Sequence, residues 1–276
     1  MPAQSTCHPA PSSTDQLHDW LGESTQLDLS HHRVQITAKR LTQLMPTDRD
    51  KMLAIHNWIR RWPYAPIDQS GALLASEIIN RKKGGAFTKG VTFVALCRAA
   101  GIPARLHIVM GPGSCMSGFL DRPPRRSIFP LAEVHIDGRW LLTDGYVIDP
   151  LLWVAARNRL QVEGRRIGYG ICVSAPAQWD GAGHHIQQME PHTVERALLA
   201  HDLGVFDDMA SFYRLQALIK LPNWLSNARF YRNAQRVARR AQQLREWRPK
   251  ADSSSVPAWA PTQNPDLEKA ANRSKL

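Results

Sequence analysis

The chain carries four cysteines, and their spacing restricts what chemistry a thiol can do. Cys7, Cys97, Cys115 and Cys172 lie far apart, and no two of them form a Cys-x-x-Cys pair of the kind that binds zinc. A thiol can also act alone as a nucleophile in acyl transfer, which needs a base beside it and a group that orients the base. The sequence would support that reaction if it brought a cysteine, a histidine and a carboxylate together.

Two pairs of adjacent histidines are the other candidates for a metal or catalytic site. They are His31-His32 and His184-His185. Adjacent residues on a strand or a helix do not face one site, so neither pair offers two ligands to one ion. We interpret both pairs as exposed loop histidines, and no metal or cofactor is predicted.

The stretch from Gly84 to Arg105 is the segment around which the rest of the chain is organised. The glycine pair Gly84-Gly85 precedes an apolar helical run, and Gly101-Ile102-Pro103 ends that run and turns the chain into an extended segment. A helix N-terminus suits a nucleophilic cysteine, because the helix dipole and the free N–H groups lower the thiol pKa. The same N–H groups can stabilise an oxyanion.

A β-hairpin is predicted further along the chain. Leu131 to Ile136 alternate as a strand, Asp137-Gly138 is a tight-turn pair, and Arg139 to Thr143 return as the next strand. Asp144 follows that strand, and Asp149-Pro150 predicts the start of another helix. An antiparallel sheet is therefore expected after the central helix.

Together these features resemble the transglutaminase-like, papain-like superfamily. The resemblance rests on Gly-Ile-Pro-Ala-Arg at residues 101–105, on the Asp-Gly-x-Trp turn at residues 137–140, and on Glu133 in the strand before that turn. It covers about residues 27–185. It implies an α+β fold in which helices pack on an antiparallel sheet. It also implies a nucleophilic cysteine at the mouth of the helix, served by a histidine and an aspartate from the hairpin.

The resemblance assigns three catalytic positions, and two of them hold residues that cannot do this chemistry. Ala86 stands at the nucleophile position, fifteen residues before Gly101. Phe129 stands at the base position, fifteen residues before Asp144, which itself matches the family's aspartate. The resemblance therefore predicts a protein that retains the orienting carboxylate but lacks both the thiol and the imidazole.

Residues close to these positions are predicted to line a retained cleft, namely Gly85, Lys89, Cys115 and Glu133. Without its histidine, Asp144 is expected to pair with Lys89 or Arg105, to cap a turn, or to keep a role in ligand binding. Phe129 near Ala86 should make the cleft more apolar. The cleft is then either filled or suited to an apolar group.

Cys115 is the candidate for a relocated nucleophile, because its glycine-rich loop, residues 111–127, can fold over the site. It would lack a helix N-terminus and a placed histidine, so the competing interpretation is an ordinary loop cysteine. Cys97 is eleven residues into the helix, in an apolar context, and is expected to be a packed core thiol. His135 shares a strand face with Phe129 but lies about 20 Å further along, which is too far to serve as the base.

The formal charge of +11 is concentrated near the C-terminus. Residues 229–250 contain eight Arg or Lys and one Glu, a net charge of +7. Phe230 to Trp247 predict an amphipathic helix with one apolar stripe and one arginine stripe, formed by Arg232, Arg236, Arg239 and Arg240. This helix either packs on the domain with solvated arginines, or binds an acidic protein, nucleic acid or lipid.

The remaining patterns predict further elements. Helices are expected over Val34 to Leu44, from a Thr47 cap to Pro63, over Ser76 to Asn80, and from Asp149-Pro150 to about Arg159. Gly168 to Val173 predict a strand, and Val194 to Leu221 predict one helical stretch.

These patterns also set the domain organisation. We expect a disordered leader at residues 1–26, a core domain at 27–190, a helical extension at 191–248 and a disordered tail at 249–276. No apolar run approaches the roughly 20 residues that span a bilayer. No secretory signal is recognisable, and the scattered cysteines fit reduced thiols, so a cytoplasmic protein is expected.

Three functions are compatible with the sequence. The first is a catalytically inactive pseudoenzyme that binds a protein, a peptide or another ligand through the retained cleft. The second is an active cysteine-dependent acyltransferase or amide hydrolase that uses Cys115. The third is a module that binds an anionic partner through the basic helix. Ala86 and Phe129 favour the first function over the second.

Overall fold

The computed structural model describes residues 17–65, 73–218 and 227–247. In these segments helices pack against an antiparallel sheet, which confirms the predicted α+β fold. The predicted tail, residues 249–276, and residues 1–16 of the predicted leader lie outside the described residues. Residues 17–26 contain a 3-10 turn, Asp19–Leu21, and end in the buried Gln26. Structured chain is therefore already present before the predicted boundary at residue 27.

Within the described segments, four helices precede the sheet, and the last of them is the centre of the fold. They are α1 (His32–Thr42), α2 (Asp48–Arg60), α3 (Ala75–Arg81) and α4 (Ala86–Ala99). Thr47 caps α2 as predicted, since its side chain accepts a hydrogen bond from the backbone N–H of Asp50. Helix α4 is buried along most of its length and contacts the other three helices as well as strands of the sheet.

In the part of the chain that the structure describes, six strands follow in two groups. The strands are β1 (Ala104–Pro112), β2 (Arg126–Ile136), β3 (Arg139–Thr143), β4 (Ile167–Gly168), β5 (Ile171–Cys172) and β6 (Asp202–Phe206). The main sheet is antiparallel with the order β3-β2-β1-β6, and β4 pairs with β5 in a separate two-stranded sheet. Strands β2 and β3 form the predicted hairpin, in which Asp137 and Gly138 both adopt the positive φ that a tight two-residue turn requires.

The C-terminal part differs from the predicted single helix over Val194 to Leu221, and that prediction was wrong. The chain forms α5 (Pro150–Val162) and α6 (Pro191–Ala200), then β6, then α7 (Met209–Leu218) and α8 (Asn227–Glu246). Strand β6 pairs with the free edge of β1, which supplies backbone hydrogen bonds that a helix would otherwise provide. Gly204 has a φ of +99°, a conformation that does not occur within a helix.

The two faces of the sheet are buried in separate clusters. Alternate residues of β1 and β2 pack with α4 in the main core, and these are Ala104, Leu106, Ile108, Ala132, Val134 and Ile136. The opposite face forms a smaller second core with Cys115, Met189 and residues of α6. Its strand residues are Val109, Phe129, Leu131 and Leu142. Strand alternation explains this division, since neighbouring side chains point to opposite faces.

The predicted basic helix is α8, and it packs on the domain through its apolar stripe. The side chains of Ala234, Val237, Ala241 and Leu244 are buried, and α8 contacts α5. Among the described segments, none of the helices combines the length and the apolar composition needed to cross a bilayer.

Candidate functional site

The residue at the predicted nucleophile position is the first residue of α4. Gly85 is the N-cap of the helix and Ala86 follows it. The hydroxyl of Thr88 accepts a hydrogen bond from the backbone N–H of Gly85 at 3.2 Å. Tyr64 and Gly84 form a short parallel bridge just before the helix. Ala86 is partly exposed at this helix terminus, but its methyl side chain provides no nucleophile.

Asp144 is completely buried, and two consecutive glutamines hold its carboxylate. Oδ1 accepts from the backbone N–H of Gln187 at 2.6 Å, and Oδ2 accepts from the backbone N–H and the side-chain amide of Gln188, both at 3.2 Å. Burial raises the pKa of Asp144 to about 6, and these hydrogen bonds oppose the rise. The expected pairing of Asp144 with Lys89 or Arg105 is therefore wrong, because amide donors occupy the carboxylate.

Phe129, at the predicted base position, is 3% exposed and belongs to the second core. Ala86 packs against the main core instead, so the two positions lie in different apolar clusters. The space beside Phe129 is filled. A Cβ on Gly111 would lie 3.1 Å from the Phe129 ring and 2.8 Å from Sδ of Met189. Its neighbours in the second core are apolar side chains and the Cys115 thiol.

Cys115 lies in the 3-10 turn Gly113–Met116 and is 1% exposed. Its loop does fold inward, as the second hypothesis requires, but this buries the thiol in the second core. Burial raises the pKa of Cys115 to about 12, and the Asp144 carboxylate adds to the rise. Because the thiolate is the attacking species, a thiol with this pKa is a poor nucleophile at neutral pH.

Lys89 holds three segments together and does not face an open cleft. The side chain is 0% exposed. Its ammonium group donates to the carbonyl oxygens of Trp62, Tyr146 and Val147 at 2.7, 3.1 and 2.9 Å. Burial lowers the pKa of Lys89 to about 7, with Asp149 opposing the change.

Glu133 is likewise engaged, in an ion pair on the sheet. Arg105 Nε donates to its carboxylate at 2.6 Å, and the same guanidinium lies 4.0 Å from the ring centre of Trp140. His135 is partly exposed, as expected, and packs against Trp140. Cys97 is a buried core thiol, as expected, and burial raises its pKa.

Two histidines that the sequence did not connect meet in the interior beside Gly145. The ring centres of His56 and His185 are 5.7 Å apart, and both residues are buried. A Cβ on Gly145 would lie 2.0 Å from His185 Nδ1 and 3.1 Å from His56 Nε2, so glycine is required there. Burial lowers the pKa of His56 to about 3 and also lowers that of His185, which keeps the pair neutral.

The expectation of exposed loop histidines is therefore wrong for His185, although His184 beside it is exposed. The backbone of His185 forms a bridge with Thr143, which turns its side chain inward. The available sequence signal was that adjacent residues point in different directions. Within the described segments, no three His, Cys, Asp or Glu side chains are grouped so that they could hold a metal ion.

Two solved structures are similar to part of this chain. One is a candidate cysteine protease from Cytophaga hutchinsonii, with 24% identity and a TM-score of 0.40, over 49% of this chain and 44% of that protein. The other is a candidate protease from Parabacteroides distasonis, with 17% identity and a TM-score of 0.32, over 52% of this chain and 32% of that protein. The matches thus cover less than half the length of each of these two proteins. No curated protein matches the sequence.

The family model of the transglutaminase-like superfamily matches residues 35–144. That segment runs from α1 to Asp144 and contains both α4 and the hairpin of β2 and β3. These are the elements in which the sequence resemblance was found, and they occur in the order that it implied. Residues 35–144 are therefore identified as a transglutaminase-like domain.

Proposed function

We propose that this protein is a catalytically inactive member of the superfamily and acts by binding a partner or ligand. The observation that carries the proposal is the environment of Asp144, whose carboxylate is occupied by the amides of Gln187 and Gln188. Ala86 provides no thiol at the helix terminus. Two members of the triad are absent, and the third has neutral amide partners that cannot transfer a proton.

The surface offered to a partner is the partly exposed start of α4. Ala86 and Phe87 lie there and pack against the main core on their inner side. Apolar side chains at this position favour a protein or peptide segment that contributes an apolar side chain of its own. The first turn of α4 also presents N–H groups that have no acceptor within the helix itself, and such groups suit a backbone carbonyl of that segment.

Acyl transfer through Cys115 has less support. Attack by this thiol would require the Gly113–Met116 turn to open and a base to approach. The buried position and the pKa of about 12 both oppose that route.

Binding of an anionic partner through α8 also has less support. Arg240 pairs with Asp121 at 2.7 Å, and Arg245 pairs with Asp149 at 2.5 Å. The exposed arginines left for a partner are Arg236 and Arg239, and the side chain of Arg232 lies outside the described residues. Helix α8 is therefore used first to hold the domain together.

An activity and labelling experiment tests the proposal. The native chain, Cys115→Ser, Ala86→Cys and Ala86→Cys/Phe129→His are assayed for ester hydrolysis and for amine transfer to a glutamine peptide. Iodoacetamide labelling of each thiol is mapped by mass spectrometry in parallel. We expect no activity in the native chain and no labelling of Cys115. The thiol introduced by Ala86→Cys should label readily, because it is accessible at a helix N-terminus.

Two outcomes separate the hypotheses. Turnover by the native chain that Cys115→Ser abolishes would refute the inactive assignment and establish a relocated nucleophile. Turnover that appears only in the double variant would support it, because restoring the thiol and the imidazole would then restore the reaction.

A further inference from the structure

A pocket lined by arginines lies between the end of β1 and α6. Its volume is about 230 Å³. Strand β1 contributes Met110, Gly111 and Pro112, and α6 contributes Thr193 and Ala197. The remaining lining residues are basic, namely Arg125, Arg126, Arg196 and His201. We propose that this pocket, termed the arginine pocket, binds the phosphate group of a small ligand.

Backbone hydrogen bonds fix the elements that carry these side chains. The N–H of Gly113 donates to the carbonyl of Arg125 at 3.3 Å, which ties the segment before β2 to the end of β1. The N–H of Met110 donates to the carbonyl of His201 at 3.0 Å, which ties the end of α6, near Arg196, to the same strand. The two walls of the pocket are therefore held together before any ligand binds, which reduces the entropy lost on binding.

The positive charge of the arginine pocket is not neutralised from within. Across residues 17–65, 73–218 and 227–247, none of its three guanidinium groups forms an ion pair, although arginines elsewhere, such as Arg105 and Arg159, do so. Aspartate and glutamate are absent from the residues that line it. Arg126 instead lies 3.9 Å from the neutral sulfur of Met110. Guanidinium groups gathered around one space repel each other, and an anion placed among them relieves that repulsion.

The charge and geometry favour phosphate over carboxylate. A phosphate monoester carries a charge of about −1.5 to −2 at neutral pH and has three strong acceptor oxygens. Guanidinium groups bind such oxygens in pairs of parallel hydrogen bonds, so three arginines can engage one phosphate from different sides. A carboxylate has one charge and two oxygens, which would leave part of the pocket's charge unpaired. The side chain of Thr193 can add a neutral donor.

This site is separate from the start of α4. Ala86, Phe129 and Asp144 are not among the residues that line it. The proposal therefore goes beyond catalytic inactivity and holds whether or not the domain is an enzyme.

Calorimetric titration of the full chain with inorganic phosphate and with phenyl phosphate tests the proposal. The pocket variant is Arg126→Gln/Arg196→Gln. The matched control is Arg236→Gln/Arg239→Gln, which removes the same two charges from exposed positions on α8. We expect saturable binding by the native chain. The affinity should fall by about tenfold or more in the pocket variant and by less than about twofold in the control, since each charge-assisted bond contributes directly.

A second arm identifies the source of the phosphate. Phosphatidylcholine vesicles containing phosphatidic acid are compared with vesicles containing phosphatidylserine at equal surface charge. Binding of the free phosphates supports a small soluble ligand. Binding confined to phosphatidic acid, with the same dependence on the pocket arginines, supports a lipid headgroup. An equal loss of phosphate affinity in the pocket and control variants would overturn the proposal. A native chain that binds none of the phosphate probes saturably would overturn it as well.

Discussion

At the scale of single residues, the hydrogen-bond partners of Asp144 determine the role of its buried carboxylate. In a catalytic triad such a carboxylate orients an imidazole, which then accepts and returns a proton. Here it accepts three hydrogen bonds from Gln187 and Gln188. A carboxamide stays neutral and does not exchange protons in this way. Asp144 therefore anchors residues 187–188 to the hairpin.

The variant Gln188→Met tests this account of Asp144. It removes one N–H donor, the side-chain amide at 3.2 Å, and so disfavours the charged carboxylate. We expect the pKa of Asp144 to rise above its value of about 6 by roughly one pH unit, since one unit corresponds to about 1.4 kcal/mol. The pKa of Asp144 is measured in both proteins by following its ¹³C carboxyl resonance as the pH is changed.

Gln187→Met is the matched control for that experiment. The Gln187 side-chain amide donates to the carbonyl of Pro176, and only its backbone N–H contacts Asp144. The same loss of a carboxamide should therefore leave the pKa of Asp144 nearly unchanged. Equal shifts in the two variants would contradict the role assigned to Gln188.

At the scale of elements, local sequence signals predicted α4 and the hairpin closely. Gly101-Ile102-Pro103 ends a helix and begins a strand in few residues, and Asp137-Gly138 sets a two-residue turn that fixes the hairpin register. Strand β6 could not be predicted in this way. Its five residues become a strand because they meet the edge of β1 about a hundred positions away, and hydrophobic periodicity does not report contacts at such sequence separation.

Local sequence patterns also predicted only part of the candidate site. The positions of Ala86 and Asp144 follow from the helix start and the hairpin end, which are local features. The partners of Asp144 come from Gln187 and Gln188, which no local pattern links to it. The burial of Cys115 depends on how a long loop packs against the second core. Contacts of this kind are set by tertiary structure.

The junction between α5 and α8 supports a prediction at the same scale. Asp149 is the N-cap of α5 and accepts from the backbone N–H groups of Leu152 and Tyr64 at 3.1 and 2.8 Å. Arg245 of α8 pairs with the same carboxylate at 2.5 Å. Burial alone would raise the pKa of Asp149, but these donors and the Arg245 charge hold it below its usual value. The pair therefore stays charged at neutral pH and joins the two helices.

Replacing Arg245 by Gln should weaken this junction. A mostly buried carboxylate would lose its ion-pair partner, and breaking such a pair lowers the free energy of unfolding by about 3–5 kcal/mol. Urea unfolding of the native chain and the variant measures the change. Arg239→Gln, on an exposed face of the same helix, should cost less than about 0.5 kcal/mol. If Arg245→Gln lowers the free energy of unfolding no more than Arg239→Gln does, the ion pair does not hold α8 on the domain.

At the scale of the whole molecule, one buried cation links the parts of the fold. Lys89 reaches from α4 to the carbonyl of Trp62 after α2, and to those of Tyr146 and Val147 between β3 and α5. A protonated amine has three N–H donors, which matches the three acceptors. Burial nevertheless disfavours its charge and lowers its pKa to about 7 in the folded chain.

This shift gives the stability of the whole chain a predictable pH dependence. The ordinary lysine pKa of 10.5 applies to the unfolded chain, so between about pH 7 and 10.5 the unfolded chain binds more protons than the folded one. The free energy of unfolding contributed by Lys89 therefore rises as the pH increases through this window, and it is lowest and constant below about pH 7. From pH 7 to about pH 9 the rise amounts to about 2 kcal/mol.

Lys89→Met removes this titration and isolates its effect. The variant leaves three carbonyls without their donor, so we expect it to be less stable than the native chain at about pH 9. Because methionine does not titrate, the free energy of unfolding should rise by about 2 kcal/mol more in the native chain than in the variant between pH 7 and about pH 9. Urea unfolding at both pH values measures the difference. In the control variant Lys83→Met, which changes an exposed lysine, the free energy of unfolding should change with pH as it does in the native chain. A native-to-variant gap that is the same at both pH values would show that Lys89 keeps an ordinary pKa in the folded protein.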